Sequence, residues 1–182
     1  MRPARRLLAV GALAAAGVLA GAAQVDGQEA IRSASALVAA VLSADGVARF
    51  EFAARPGVWG NGRTWNFSRN ADADGMGFPG RHCDGCTNGP IRVTVRVADG
   101  VVTELHSQVG GDWREEGRDL GPVVPEAAAD YLIALVERDL AEPDADSKED
   151  ALQAAVSAPA GEIWPRLLDI ARNRGQHADV RR

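Results

Sequence analysis

The sequence predicts an α+β protein with an N-terminal helix, a small antiparallel β-sheet and two or three C-terminal helices. Apolar residues recur at helical spacing from Gln28 to Leu42, as on one face of an amphipathic helix. They then alternate with polar residues, most clearly from Ile91 to Val97, which is typical of a strand with one buried face. After Gly121-Pro122 the helical spacing returns and continues towards the C-terminus.

The first helix is predicted from Gln28 to Leu42. Asp26 can cap its N-terminus, and Glu29 three residues later fits the reciprocal position of a capping box. The turn-forming pair Asp45-Gly46 ends the helix. Its apolar residues are Ile31, Ala34, Leu37, Val38, Val41 and Leu42.

Strands are predicted wherever apolar and polar residues alternate. These segments are Ala48 to Phe52, Trp65 to Phe67, Ile91 to Val97 and Val101 to His106. Asp99-Gly100 lies between the last two and is a hairpin signal, because both residue types tolerate positive φ. A sheet this small needs a helix on its dry face to be stable.

Three helical segments are predicted after residue 121. In the first, Pro125 suits the opening turn, where a missing backbone N–H costs little. The second begins near Ser147, and the third runs from Ile163 to Ala171 with Pro165 in its first turn. The apolar stripes of the first and third are Ala128, Tyr131, Leu132, Leu135 and Val136, and Ile163, Trp164, Leu167, Leu168 and Ala171.

Residues 1–23 have the three parts of a cleavable signal peptide. Three arginines precede an uncharged, mostly apolar stretch from Leu7 to Leu19, and small residues follow up to Ala23. An uncleaved anchor is the alternative, but a short stretch rich in Ala and Gly spans a bilayer poorly. We therefore expect a periplasmic or secreted protein that meets a membrane only through an uncleaved leader. Arg5-Arg6 leaves both the general and the twin-arginine export routes open.

The exported part would keep roughly 160 residues, enough for one compact domain or two small ones. The sequence divides it into a helix-plus-sheet unit over residues 24–121 and a helical unit over residues 122–182. Loss of the three leader arginines moves the formal net charge from −5 to −8. Because a net acidic protein does not attract nucleic acid, we expect no nucleic-acid partner.

The segment from Ser68 to Pro90 is rich in Gly, Asp and Asn, and a loop this long is usually functional or poorly ordered. It contains both cysteines of the chain, Cys83 and Cys86, which an oxidising compartment would pair as a disulfide. A thioredoxin-like role would need this motif at the start of a helix. Gly85 and the residues that follow it indicate a loop, so a structural disulfide is favoured over a redox site.

One alternative for this segment is a calcium site. Asn70, Asp72 and Asp74 place side-chain oxygens at alternate positions, as in the first half of a calcium loop. Arg81 stands where that loop would need a bidentate Glu. A solvated loop rich in Asp and Asn explains the same pattern without calcium.

A second alternative is a zinc site, because zinc is held by four Cys and His ligands in many small domains. The candidate ligands are His82, Cys83, Cys86 and the distant His106. His106 is one of only three histidines, so its choice as the fourth ligand is arbitrary. We expect no cofactor, with calcium and zinc as the alternatives.

Short motifs occur over most of the exported part. They are Arg55-Pro56-Gly57-Val58, Gly60-Asn61-Gly62, Gly89-Pro90-Ile91-Arg92-Val93, Asp99-Gly100-Val101-Val102-Thr103, Val109-Gly110-Gly111 and Ile163-Trp164-Pro165-Arg166-Leu167-Leu168-Asp169-Ile170-Ala171-Arg172. Together they resemble a group of exported bacterial proteins that contain HEAT repeats. The resemblance implies a small β-rich domain followed by helical pairs, and no known chemistry. Trp59 departs from the group, which has a cysteine there, and the helical array here falls short of the three repeats that support themselves.

The sequence contains no recognisable motif for hydrolytic or phosphate chemistry. It has no Gly-x-Ser-x-Gly, no His-Glu-x-x-His and no phosphate-binding glycine loop. We therefore favour a non-enzymatic protein-interaction or structural module whose partner is another protein. The alternative is a metal-dependent or redox protein with its site between Ser68 and Pro90. The four tryptophans fit core or groove packing better than a ligand-binding box. Trp59 and Trp113 lie in Gly-rich loops and are the pair expected to be more exposed, as at a binding surface, although partial burial under the loops is more common.

Overall fold

The structure is a computed structural model that describes residues 29–63, 65–67, 85–137, 145–161 and 163–173. Within these ranges the chain forms four helices and six strands. In chain order they are α1 (Ala34–Val41), β1 (Gly46–Phe52), β2 (Val58–Gly60), β3 (Trp65–Phe67), β4 (Ile91–Ala98), β5 (Val101–Val109), β6 (Arg118–Pro122), α2 (Pro125–Glu137), α3 (Ala145–Ser157) and α4 (Trp164–Arg172). The predicted α+β class is confirmed, and a HEAT-like arrangement of the helices stays a prediction.

The main sheet has the strand order β5-β4-β1-β6. β4 is antiparallel to both β5 and β1, and Asp99 and Gly100 make the β4–β5 turn with φ angles of 53° and 73°. β6, however, is parallel to β1. The sheet is therefore mixed, whereas the sequence analysis expected a wholly antiparallel sheet. Leu120 is the only buried side chain of β6, and a strand without alternating burial leaves no period-two pattern in the sequence.

β2 and β3 form a separate two-stranded antiparallel sheet. The predicted strand Trp65 to Phe67 therefore exists, but it does not join the main sheet. Its partner, Val58–Gly60, was not predicted because Val58-Trp59-Gly60 does not alternate apolar with polar residues.

α1 begins at Ala34, later than the sequence analysis expected. Ser33 is its N-cap, and the Ser33 Oγ accepts the N–H of Ala36 at 3.2 Å. Serine is among the best N-cap residues because its short side chain satisfies a free N–H of the first turn. The expected cap, Asp26, lies outside the described residues.

Ile31 shows why the helix cannot start earlier. Its N–H donates to the Pro122 carbonyl at 3.0 Å, and its carbonyl accepts the N–H of Val124 at 2.9 Å. These bonds place Ile31 in a parallel bridge with Val123, beside the end of β6. A residue whose backbone groups bond a strand cannot also take part in a helix, so tertiary pairing overrides the helical pattern here.

The inner face of the main sheet packs beneath α2 and α3. Phe50 of β1 meets Tyr131 of α2 edge to face, with ring centroids 5.9 Å apart. α3 lies mainly against α2 and β5, whereas α1 lies mainly against α2. One apolar cluster of the described residues includes members from both sides of the boundary expected at residue 121. The C-terminal helices α2 and α3 therefore share a core with the sheet.

α3 covers the free edge of β5. The N–H of Leu105 donates to Ser147 Oγ at 3.1 Å, and the N–H of Ser107 donates to Asp150 Oδ2 at 3.1 Å. The Ser107 hydroxyl adds a bond to the Asp150 carbonyl at 3.0 Å. An edge strand with free N–H groups invites pairing with another chain, and these bonds remove two of them.

β5 and β6 lie at opposite edges of the main sheet, so residues 110–117, which join them, cross its outer face. We call these residues the crossing loop. The Gln108 side-chain amide holds its start by donating to the Gly110 carbonyl at 3.0 Å and the Asp112 carbonyl at 2.6 Å. Gly111 has a φ of 69° and lies so close to the 61–62 backbone that a Cβ there would be 2.6 Å from the Gly62 α-carbon.

Candidate functional site

Most of the predicted metal segment lies outside the described residues. Cys86 is described and is half-buried. Its neighbour Thr87 pairs with Gly60 of β2, with N–H to carbonyl distances of 2.8 and 3.0 Å. The other candidate ligands lie outside the described residues and are Asn70, Asp72, Asp74, His82 and Cys83. The calcium and zinc hypotheses and the Cys83–Cys86 disulfide therefore stay predictions.

His106, the fourth candidate zinc ligand, lies on β5 between two carboxylates. Its Nε2 is 2.9 Å from Glu104 Oε1, and its Nδ1 is 3.5 Å from Asp150 Oδ2. The Thr87 segment contacts Gly110, the first residue after β5. Gly110 is four positions after His106, which corresponds to about 13 Å at 3.3 Å per strand residue. In the described part of the chain, no three His, Cys, Asp or Glu side chains are grouped to hold a metal ion.

The two carboxylates beside His106 are held in different ways. A hydrogen bond from Arg96 lowers the pKa of Glu104, and the bond to His106 acts in the same direction. Burial raises the pKa of Asp150, although the Ser107 N–H and His106 partly offset this. Because Asp150 also receives the Ser107 N–H, the cluster fastens α3 to the edge of β5.

Trp113 of the crossing loop lies between two guanidinium groups. The Arg49 and Arg92 Cζ atoms are 5.1 and 5.2 Å from the centre of its ring, within the range of cation–π contacts. Each arginine also has an acidic partner: Arg49 pairs with Asp119 at 3.3 Å, and Arg92 with Glu51 at 3.2 Å. The Trp113 ring therefore already makes cation–π contacts with two arginines of the same chain.

The ranking of Trp59 and Trp113 as the more exposed tryptophans was wrong, although partial burial under their loops was expected as the more common outcome. Both are half-buried, Trp59 within β2 and Trp113 between its two arginines. Glycine-rich sequence around a tryptophan indicates a loop, but a loop can fold back over a sheet and cover its own side chains.

Trp164 is the exposed tryptophan, with 67 % of its surface accessible. It lies in the first turn of α4, one turn before Leu168, which is 51 % exposed. Ile163 and Ile170 turn towards the core. The predicted stripe of the third helix therefore divides into an inward part and an outward part, a division that periodicity alone could not reveal.

Arg166 fixes the rotation of α4. Its Nε and Nη2 donate to the two carboxylate oxygens of Glu137 at 2.9 and 2.8 Å, and its Nη1 donates to Asp130 Oδ1 at 2.8 Å. A bidentate pair of this kind sets orientation as well as distance. Because Glu137 and Asp130 belong to α2, the clamp turns Trp164 and Leu168 outward. We call Trp164, Leu168 and Arg172, which lie one turn apart, the α4 face.

A second surface feature is an open groove of about 510 Å³ between the end of β1 and the start of α2. Phe52, Pro90, Pro122 and Pro125 are among its lining residues, and Glu51 is the charged group at its rim. Asn88 to Pro90, the last part of the predicted metal segment, line it as well. The groove offers apolar walls but no cluster of polar groups that would define a small-molecule ligand.

Comparison with known proteins identifies no relative of this chain. No protein-family model, no curated protein sequence and no solved structure matches this chain. Among the described helices, none has the length and apolar character needed to cross a membrane. The fold and surface thus define an α+β protein that presents an apolar helix face to solvent.

Proposed function

We propose that this chain is a non-enzymatic, exported protein-interaction module that binds its partner through the α4 face. The exposed Trp164 is the observation that carries the proposal. Tryptophan is strongly enriched among the residues that dominate binding energy at protein interfaces. An isolated protein forgoes the free energy of burial when it leaves such a side chain two-thirds exposed. A partner that covers the side chain would recover this free energy.

The geometry of α4 supports the proposal because the helix is held before any partner arrives. The Arg166 clamp fixes its rotation against α2, and Ile170 is buried beneath it. Binding to a preorganised surface avoids the entropic cost of ordering that surface. The leader predicted over residues 1–23 supports an interaction in the periplasm or outside the cell.

A photo-crosslinking experiment tests this function. A photoreactive amino acid replaces Trp164 in the full chain, expressed in its native host, and the cells are irradiated before fractionation. We expect a crosslinked protein adduct, because the side chain at position 164 would be covered by the partner. Val101, the 44 % exposed apolar residue of the β4–β5 turn, provides the control position and should give no adduct. Absence of any protein adduct from position 164 would overturn the proposal.

A further inference from the structure

The α4 face has a self-complementary sequence. Its three side chains are all accessible: Trp164 is 67 % and Leu168 51 % exposed, and the Arg172 side chain is 75 % exposed. Trp164 precedes Leu168 by four residues, and Arg172 follows it by four. An aromatic residue and a cation are thus placed symmetrically about a central leucine.

We infer that the α4 face binds the same face of a second copy of this chain, with the two helices antiparallel about a two-fold axis near Leu168. In such an isologous contact, every residue before the axis meets the residue equally far after it on the partner. Leu168 then packs on its own copy, and each Trp164 lies against Arg172 of the other chain. This inference rests on the proposed function, because it assumes that the α4 face is the binding surface.

The Trp164–Arg172 contact has the right chemistry. A guanidinium over an indole ring gains cation–π attraction, and the gain increases as water is excluded. The protein already uses this contact at Trp113, where two guanidinium groups lie 5.1 and 5.2 Å from the ring. Arg172 is available for it, because its pairing with Asp169 is at 4.0 Å between two largely exposed side chains, an arrangement of little energetic weight.

The remaining positions allow two helices to approach. Pro165 and Ala171 lie three residues on either side of Leu168 and are exposed, so each would meet the other on the partner helix. Both side chains are small enough for an interaxial distance of 8–10 Å, the usual range for packed helices.

The size of α4 sets the expected strength of the dimer. Its nine residues span about 13 Å at 1.5 Å per residue. A contact between two such helices buries less than the roughly 1,200 Å² at which stable complexes begin. We therefore expect a reversible dimer that forms at high micromolar concentration and dissociates on dilution.

Sedimentation equilibrium of the exported protein, from about 1 μM to about 1 mM, tests the inference. The wild-type chain should pass from monomer to dimer within this range. Trp164→Arg places an arginine opposite Arg172 of the partner and should weaken association about tenfold or more. Combining it with Arg172→Trp restores a tryptophan–arginine pair with the roles exchanged, and should recover most of the lost affinity. Val101→Arg, an equal change at an exposed apolar site elsewhere, should leave association unchanged.

The outcomes separate this inference from the proposed function. A wild-type chain that stays monomeric at about 1 mM overturns the dimer, as does a dimer that Trp164→Arg does not weaken or that the exchanged pair does not recover. The adduct from position 164 gives the second readout: a product of twice the chain mass supports the dimer. An adduct with a different protein, from a chain that sediments as a monomer, overturns the dimer and supports the interaction module.

Discussion

At Gly111, the absence of a side chain lets the crossing loop pack directly against the backbone of residues 61–62. The Gly111 φ of 69° favours glycine, and a Cβ would lie 2.6 Å from the Gly62 α-carbon, closer than packed carbon atoms can approach. The sequence contains the motif Val109-Gly110-Gly111, but only the structure shows which backbone the motif lies against. Two separate costs, one of dihedral strain and one of overlap, therefore apply to any substitution there.

Comparing two glycine substitutions separates these costs. Gly100 in the β4–β5 turn has nearly the same φ, 73°, but a Cβ there would meet nothing within 4 Å. Gly100→Ala should lower the free energy of unfolding by about 1 kcal/mol from dihedral strain alone. Gly111→Ala should lower it by about 1–3 kcal/mol more, because overlap is added. Urea denaturation measures the free energy of unfolding of both variants. Equal losses would mean that the backbone at Gly62 moves away from the new Cβ without an energetic cost.

Asp150 provides a pH-dependent test at the residue scale. Burial raises its pKa above the ordinary value of 3.8, and His106, Arg114 and the Ser107 N–H are the groups that face it. A carboxyl with a raised pKa in the folded state contributes stability that is complete below its unfolded pKa. That contribution is lost as the pH rises through the folded pKa.

Asp150→Asn removes this titration while keeping an oxygen that can accept the Ser107 N–H. The stability of the variant relative to wild type should therefore increase as the pH rises from just below 3.8 towards neutrality. Urea denaturation across this pH range measures the difference, and a relative stability that falls with pH would contradict the assigned sign.

At the scale of secondary structure, the helices after residue 121 differ in how they are supported. α2 has eight buried side chains, from Ala127 to Val136, whereas Ile170 is the one buried side chain of α4. α2 also lies between α1 and α3 in the shared core. A helix with few buried side chains is expected to open locally more readily than one with many. α4 should therefore open independently of α2.

Hydrogen exchange provides the measurement. Amides of α2 should be protected as strongly as those of β4, because separating α2 exposes the inner face of the main sheet. Amides of α4 should exchange on the order of 100-fold faster, since α4 can leave with little apolar exposure. Protection of α4 equal to that of β4 would show that contacts beyond Ile170 and the Arg166 clamp hold it.

For the molecule as a whole, local patterns predicted most of the elements but not their arrangement. The β4–β5 hairpin and the three helices after residue 121 follow from periods and turn residues that lie next to each other in sequence. The parallel β1–β6 pairing, the Ile31 bridge and the crossing loop depend on partners far apart in sequence, which no local pattern contains. The exposure of Trp164 was missed for the same reason: the Arg166 clamp that turns it outward requires Glu137 and Asp130 of another helix.

The pairing of Ile31 with Val123 has a consequence for how the chain reaches its folded state. A chain made or exported from its N-terminus delivers Ile31 early, yet the strand end that binds it follows 92 residues later. Arg49 likewise pairs with Asp119, which follows it in the chain by 70 residues. Closing loops of this length is slow compared with forming a hairpin such as β4–β5. The hairpin is therefore expected to assemble while the emerging N-terminal segment is still unpaired, and arrival of β6 then pairs β1 and brings Val123 to Ile31 at nearly the same moment.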